Sequence, residues 1–354
     1  MEGRYLRYVL NFKRPSGTSR GVLTTKETWF LILEEGGKTG IGECGILRTL
    51  SVDDRPDYEE KLYWLCNNLH RDPEEIYREL TEFPSIQFGW EQALLSLRSN
   101  DPFLLFPSDF TKGTSSIAIN GLIWMGNPDF MQEQIEEKLN QGFDCIKMKI
   151  GAIDFDSEIA LLRTLRKRYS RDVIQLRVDA NGAFSNQEAL QKLEVLSSLD
   201  LHSIEQPIKA GQPEAMADLC RYTPLPIALD EELIGVFSAS ERGELLNHIR
   251  PQYIILKPSL VGGFKACDEW IDLAGEVNAG WWITSALESN IGLNAIAQYT
   301  YTLHNPMPQG LGTGSLFTNN IQAPLEVGNG MLKYNVSSKW ELPEAFHIKG
   351  GKAH

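Results

Sequence analysis

The chain has no long apolar run and no excess of basic residues. No apolar run approaches the roughly 18 residues that a membrane-spanning helix needs, and the N-terminus has no apolar signal core. We therefore expect no membrane partner. Asp and Glu number 47 against 34 Lys and Arg, which gives a net charge of −13. This balance disfavours a nucleic-acid partner, because such proteins carry basic surfaces.

The cysteines and histidines form no recognisable motif. Five cysteines are widely spaced without a C-x-x-C pair, which favours reduced thiols and a cytoplasmic location. The six histidines form neither H-x-H nor H-E-x-x-H, which disfavours a zinc site.

Two glycine-rich segments have weak functional signals. Residues 40–45 match G-x-G-x-x-G, but they follow a hairpin and open no helix, so dinucleotide binding is rejected. Residues 310–315 could present backbone N–H groups to an anion, or form a plain flexible loop.

The length of 354 residues fits one large barrel and a smaller second domain. Residues 1–110 read as an α+β domain, because strands precede helices. Its expected strands cover 3–13, 28–34 and 39–44, a loop covers 14–21, and its expected helices cover 56–69, 73–82 and 86–98.

Residues 111–314 repeat a strand–helix pattern, with about seven units before Tyr301. Polar residues end successive apolar runs roughly 25–30 residues apart, about the length of one parallel βα unit. If the strands close into a barrel, these side chains converge at one end; they are Lys147, Lys149, Asp179, Glu205, Asp230, Lys257 and Ser285. Residues 315–354 are expected to return to the first domain.

Three of these residues suit a divalent cation. Asp179, Glu205 and Asp230 are hard oxygen ligands, which favour Mg²⁺ or Mn²⁺ over zinc. Any one of them alone would be read as a turn opener after a strand. Three at a regular strand-to-helix spacing instead indicate a metal site.

The lysines suit acid–base chemistry. Lys147 and Lys149 point to the same side of a strand, so each is expected to lower the pKa of the other towards neutrality. A neutral amine can remove a proton next to a carboxylate. The alternatives are an exposed edge strand for this pair and a solvated loop for Lys257 beside Pro258.

The motifs resemble those of the enolase superfamily, specifically its muconate-cycloisomerase-like subgroup. The matching segments are K-M-K at 147–149, V-D-A-N at 178–181, I-E-Q-P at 204–207, L-D-E at 229–231 and L-K-P at 256–258. The resemblance implies a (β/α)7β TIM-like barrel with an α+β capping domain, and removal of a proton α to the carboxylate of a small-molecule substrate. Gln206 departs from the commoner E-E-P or E-D-P.

The resemblance also implies roles for individual residues. Asp179, Glu205 and Asp230 would bind Mg²⁺, with Mn²⁺ as the alternative ion, and Lys149 and Lys257 would be catalytic. The implied substrate contacts are Lys147, Arg177, Asn181, Ser259, Gly262 and Ser285. The loop at 14–21 is expected to close over the site.

Longer motifs at 229–233, 257–263 and 285–293 resemble the branch of the subgroup that dehydrates a cyclohexadiene carboxylate in menaquinone biosynthesis. A racemase or epimerase of acylated amino acids or dipeptides, a cycloisomerase, and a catalytically silent barrel are the alternatives. The intact lysines and carboxylates disfavour the silent barrel. Whether the chain forms a homo-oligomer stays open.

Overall fold

The structure, a computed structural model, describes residues 1–18 and 21–346. It contains a three-stranded antiparallel sheet, a seven-stranded parallel sheet that curls into a barrel, and a second three-stranded sheet. Thirteen strands and eleven α-helices occupy the described part of the chain.

The N-terminal residues form an α+β capping domain. Its strands run in the order β1-β2-β3 and pack on three helices; the elements are β1 Glu2–Thr18, β2 Gly21–Glu35, β3 Lys38–Gly45, α1 Tyr58–Asn67, α2 Pro73–Glu79 and α3 Pro84–Arg98. One apolar cluster joins the sheet to these helices, including Trp29, Leu31, Leu62 and Trp90. This is the order of strands and helices that the sequence predicts.

The predicted loop at 14–21 is wrong for its described residues. β1 continues to Thr18 and pairs with β2, after a register shift between Asn11 and Ser16. Ser16 pairs with Leu23 and Thr18 with Gly21, so the backbone hydrogen bonds of a hairpin satisfy this polar segment. Residues 19 and 20 lie outside the described residues.

The parallel sheet carries the second half of the fold. Its order is β11-β10-β9-β8-β7-β6-β5, and all pairs are parallel; the strands are β5 Gly121–Ile123, β6 Cys145–Lys149, β7 Gln175–Asp179, β8 Ser203–Glu205, β9 Ile227–Leu229, β10 Tyr253–Leu256 and β11 Gly280–Ile283. Successive strands are neighbours because each crossover helix returns the chain beside the strand it left.

The crossover helices form the outer layer of the barrel. They are α4 Pro128–Asn140, α5 Phe155–Arg168, α6 Asn186–Ser197, α7 Pro213–Tyr222, α8 Ala239–Ile249, the short α9 Pro258–Val261, α10 Gly263–Glu276 and α11 Asn290–Thr302. One large apolar cluster fills the space between helices and strands, for example Leu162, Ile204 and Trp270.

Two residues close the barrel. Gln309 bridges Ile119, next to β5, and Gly310 bridges Thr284, next to β11. The Gly310 N–H donates to the Ile283 carbonyl at 2.8 Å. Residues 309–310 therefore act as the eighth strand, and the (β/α)7β architecture expected from the sequence is confirmed.

The C-terminal segment contacts both parts of the molecule. Phe317 bridges Phe12 of β1, and the Phe346 ring lies 4.9 Å from the ring of Phe30 on β2. The remaining strands form the sheet β12-β13-β4, built from β12 Leu325–Gly328, β13 Met331–Tyr334 and β4 Ser116–Ala118. The division of the chain at residues 110 and 314 stays a prediction.

Two sequence expectations concern the whole chain. In the described residues no helix combines the length and apolarity required to cross a bilayer. All five cysteines lie in that part and are free thiols.

We predict that Gly42→Ala destabilises the capping domain. A Cβ at Gly42 would lie 1.9 Å from the Gly89 carbonyl oxygen of α3, a backbone atom that cannot move alone. Overpacking of this kind costs about 1–3 kcal/mol. Urea unfolding measures the change. The matched control is Gly275→Ala in α10, where a Cβ meets nothing within 4 Å. Equal stability of the two variants would contradict the close packing of β3 on α3.

Candidate active site

The ends of the barrel strands place the predicted ionisable residues side by side. Lys149 pairs with Asp179 across β6 and β7, and Asp179 pairs with Glu205 across β7 and β8. Asp230 follows β9 and Lys257 follows β10. Partners in parallel strands point to the same face, so the register brings these side chains together.

Three ammonium groups neutralise three carboxylates there. Lys147 Nζ donates to Asp179 Oδ2 at 3.1 Å and to Glu205 Oε2 at 2.6 Å. Lys149 Nζ donates to Asp179 Oδ2 at 3.0 Å, and Lys257 pairs with Asp230. The carboxylate side chains are 1–3% exposed. Because burying an unpaired charge is costly, this balance allows the cluster to exist inside the barrel.

The pairing decides the direction of the pKa shifts. Burial by itself lowers the pKa of Lys147, but the carboxylates of Asp179 and Glu205 outweigh it and raise that pKa. The expected depression of the Lys147 pKa is therefore wrong, because attraction to two carboxylates exceeds repulsion by a neighbouring lysine. The pKa of Lys257 is also raised: burial lowers it, and Asp230 overcomes that effect.

The carboxylates shift in opposite directions. Burial raises the pKa of Asp179, but Lys147 and Lys149 prevail and hold it below its usual range. Burial, followed by the Asp179 carboxylate, raises the pKa of Glu205. Burial and the neighbouring Asp179 charge thus disfavour the ionised form of Glu205 more than its lysine partner favours it.

Asn181 connects the ends of three barrel strands. Its Oδ1 accepts from Lys149 Nζ at 2.6 Å, and its Nδ2 donates to Glu231 Oε1 at 3.0 Å. Its own N–H donates to Asp179 Oδ1 at 3.0 Å, with a left-handed φ of 44°. Asn tolerates this conformation better than most residues. Asn181 therefore orients the Lys149 amine as well as lining the cavity.

Gln206 holds the neighbouring strand ends, a role that the motif did not assign. Its Oε1 accepts from the backbone N–H groups of Asp230 at 3.2 Å and Glu232 at 3.3 Å. Its Nε2 donates to Glu232 Oε2 at 2.9 Å. A carboxylate could not make this donation unless protonated, so an amide suits the position. The sequence features that could have indicated this role are the glutamine in place of the commoner Glu or Asp in E-Q-P and the acidic run at 230–232.

A cavity of about 780 Å³ opens above the charged cluster. Of the predicted site residues, Lys147, Lys149, Asp179, Asn181, Lys257 and Ser285 line it. The hairpin residues 13–16 of the capping domain also line it, which places that domain across the mouth of the barrel. Ser285 Oγ shares a 2.5 Å hydrogen bond with Thr313 Oγ1.

Arg177 does not line the cavity. It lies two residues before the end of β7, and its Nη1 donates to the Pro308 carbonyl at 2.9 Å. Its guanidinium carbon is 4.3 Å from the ring centre of Trp282. Side chains two residues apart on a strand share a face but differ in depth, which puts Arg177 one layer below Asp179.

Ser259 and Gly262 are also absent from the cavity wall. Ser259 is fully buried, and its Oγ donates to Glu288 Oε1 at 2.5 Å. Gly262 ends α9 with a φ of 105°, and its carbonyl accepts from Tyr77 Oη at 2.7 Å. Both residues serve the turn after Lys257 rather than the cavity surface.

Comparison with known proteins agrees with this barrel and site. The family model described as "Enolase C-terminal domain-like" matches residues 130–337, and the chain belongs to the enolase superfamily. It is 49% identical over 363 residues to an o-succinylbenzoate synthase of Desulfotalea psychrophila, covering 94% of this chain and 98% of that relative. The crystal structure of MenC from Desulfotalea psychrophila LSv54 has a TM-score of 0.84 and 46% identity, covering 94% of this chain and 99% of that chain.

A relative with another activity is more distant. An L-amino acid-D/L-Glu epimerase of Francisella philomiragia is 28% identical over 187 residues, which cover 52% of this chain and 51% of that relative. The similarity to this epimerase covers about half of each chain, whereas the similarity to the synthase covers nearly all of both chains.

Enzymes of this superfamily depend on a divalent metal, and the strand-end carboxylates fit one. Glu205 Oε1 is buried without a hydrogen-bond partner among the described residues. In the described part of the chain, no three His, Cys, Asp or Glu side chains are placed so that together they could hold a metal ion. The lysines explain this, since their ammonium groups bond directly to all three carboxylates.

We predict that Mg²⁺ or Mn²⁺ raises the melting temperature of EDTA-treated protein. A cation bound to the native state stabilises it by about 2.7 kcal/mol at one hundred times its dissociation constant. Glu205→Gln should lose at least half of the shift, because it removes a charged oxygen ligand. Differential scanning fluorimetry measures both, with the exposed Glu60→Gln as control. An unchanged melting temperature in the unsubstituted protein would contradict the metal site.

Proposed function

We propose that this protein is an o-succinylbenzoate synthase, a carbon–oxygen lyase. It dehydrates 2-succinyl-6-hydroxy-2,4-cyclohexadiene-1-carboxylate to o-succinylbenzoate. The observation that carries the proposal is the position of Lys149 and Lys257 on either side of the carboxylates, facing one cavity, in a chain 49% identical to such a synthase. Neither observation alone would select this reaction within the superfamily.

The carboxylates Asp179, Glu205 and Asp230 would hold Mg²⁺, with Mn²⁺ as the alternative. All ligand atoms are oxygens, which both ions prefer. When bound, the cation supplies positive charge next to the substrate carboxylate, whose two oxygens become negative after proton loss. Binding would also free the lysine amines from the carboxylates that they now neutralise.

Lys149 would remove the α-proton. Asn181 Oδ1 accepts a hydrogen bond from Lys149 Nζ at 2.6 Å, and this bond would orient the amine when Asp179 holds the cation. The proton taken by Lys149 then protonates the departing β-hydroxyl on the same face, which gives a syn elimination. The product ring is aromatic, so the elimination is downhill.

Lys257 would stabilise the enediolate from the opposite side of the site. An ammonium is the ordinary state of a lysine at neutral pH, so Lys257 would bring a positive charge to the site. A fixed cation in a site closed to water stabilises developing negative charge more strongly than solvent does. Contact with the ring face would add a cation–π attraction.

Lys147 and Ser285 are proposed substrate contacts because both line the cavity. We do not propose Ser259, Gly262 and Arg177 as substrate contacts, because they do not line the cavity and form hydrogen bonds with other protein groups. A homo-oligomer and a cytoplasmic location stay predictions.

The second candidate is an epimerase or racemase. Two lysines on either side of an α-carbon could exchange its proton on both faces, and the similarity to an epimerase over half of the chain favours this alternative next. Solvent deuterium incorporation into a dipeptide or N-acylamino acid would identify it.

We predict metal-dependent loss of the diene absorbance when the purified protein meets the cyclohexadiene substrate. Aromatisation with Mg²⁺ and its arrest by EDTA would establish the synthase. No turnover with metal present, combined with deuterium exchange into a dipeptide, would replace the synthase by the epimerase.

We predict that Lys149→Ala lowers kcat by about 10²–10⁴, the range expected for loss of a positioned general base. Lys257→Ala should also lower kcat, because the enediolate loses a fixed cation. The control is Lys112→Ala, a lysine that is 68% exposed and pairs only locally with Asp109. Stopped-flow loss of the diene measures all three. Wild-type turnover by Lys149→Ala would remove it from the mechanism.

A further inference from the structure

Leu287 adopts a backbone conformation that leucine disfavours. Its φ is 62°, in the left-handed region where a side chain crowds the following carbonyl. It is nevertheless 8% exposed and lines the cavity above the lysines. Strained residues persist only where the surroundings fix them, and they concentrate at functional sites.

The residues after Leu287 are fixed by buried hydrogen bonds. Glu288 accepts from Ser259 Oγ at 2.5 Å, which connects the ends of β11 and β10. Ser289 donates through its N–H to Glu43 Oε1 at 2.8 Å and through its Oγ to Glu43 Oε2 at 2.5 Å. Glu43 belongs to β3, so the capping domain itself holds this turn.

A buried lysine balances the charge of this turn. Lys26 of β2 is 4% exposed, and its Nζ has no hydrogen-bond partner among the described residues. Burial raises the pKa of Glu288, and attraction to Lys26 opposes that rise. The ammonium lies over Gly45, where a Cβ would approach it to 2.6 Å. Lys26 of the capping domain and Glu288 of the barrel are thus two buried groups whose opposite charges attract.

Leu287 also completes an apolar surface inside the cavity. Leu287 forms a buried apolar cluster with Leu10 and Phe317. Four further residues pack against this cluster and line the cavity together with Leu287; they are Leu23, Leu47, Trp124 and Leu316. These residues come from the capping domain, the barrel and the C-terminal segment. Four members of the charged cluster, Lys147, Lys149, Asp179 and Lys257, line the same cavity, whereas Glu205 and Asp230 do not.

We propose that Leu287 is a specificity-determining residue that forms an apolar wall for the substrate, and that Glu288 is a positioning residue that holds Leu287 in its strained conformation. The inference rests on the proposed function for the identity of the apolar group, the cyclohexadiene ring and succinyl methylenes. A glycine would adopt this backbone without strain but would leave the wall open.

Leu287→Ala and Leu287→Gly should each raise KM about tenfold, since each removes a leucine-sized apolar contact. kcat should change by less than about threefold, because neither variant alters the lysines. Leu287→Met should keep KM within about twofold, since it conserves volume. Leu287→Gly should melt at a higher temperature than Leu287→Ala, because glycine releases the backbone strain. Leu33→Ala, a fully buried leucine outside the cavity wall, is the control: it should lower the melting temperature and leave KM unchanged.

Glu288→Gln tests the positioning role. It should raise KM in the unsubstituted protein and have no further effect on KM in Leu287→Gly, because there is no side chain left to position. A purely structural role would raise KM equally in both backgrounds and would overturn this part of the proposal.

An unchanged KM in Leu287→Ala and Leu287→Gly would contradict the proposal that Leu287 forms a wall for the substrate. A melting temperature of Leu287→Gly below that of Leu287→Ala would contradict the proposal that the backbone of Leu287 is strained. If the unsubstituted protein fails to aromatise the cyclohexadiene, the proposed function falls by itself. The two melting temperatures still decide the strain, and the KM comparison is then made with the epimerase substrate that the protein accepts.

Discussion

The structure depends on burying three carboxylates and three ammonium groups at one end of a barrel. Each charge alone would be expensive to remove from water, but Lys147, Lys149 and Lys257 place a cation within bonding distance of every carboxylate. Such pairing needs strands in a fixed parallel register and a closed barrel that turns the strand ends inward. The fold is therefore the scaffold that this charge cluster requires.

Much of the site could be predicted because strand ends repeat at a regular spacing. Each parallel strand contributes one polar side chain where its apolar run stops, so Asp179, Glu205 and Asp230 converge in any barrel of this order. Closure was harder to see, because the eighth strand is only the bridge at 309–310. Gly310 fits there since a Cβ would lie 2.4 Å from Thr284 Oγ1. A strand of two residues, Gln309 and Gly310, leaves no periodic signal.

The residues that sequence reasoning misplaced depend on depth and on turn geometry. Arg177 shares a face with Asp179 but lies one layer lower, against Trp282. Ser259 follows Lys257 closely, yet the short α9 turns its hydroxyl towards Glu288. Spacing along a strand predicts a face but not a layer, and a motif does not specify which way a turn directs its side chains.

Three residues at the same end of the barrel have left-handed backbone conformations. Asn181, Gln206 and Leu287 have φ values of 44°, 38° and 62°, and all follow barrel strands. The side chain of Asn181 donates a hydrogen bond to Glu231, and that of Gln206 donates one to Glu232, and these bonds offset the backbone strain. Leucine cannot form such bonds, so its conformation must be held by its neighbours. The capping domain contributes through Glu43, which accepts two hydrogen bonds from Ser289, so the domain stabilises this turn as well as covering the site.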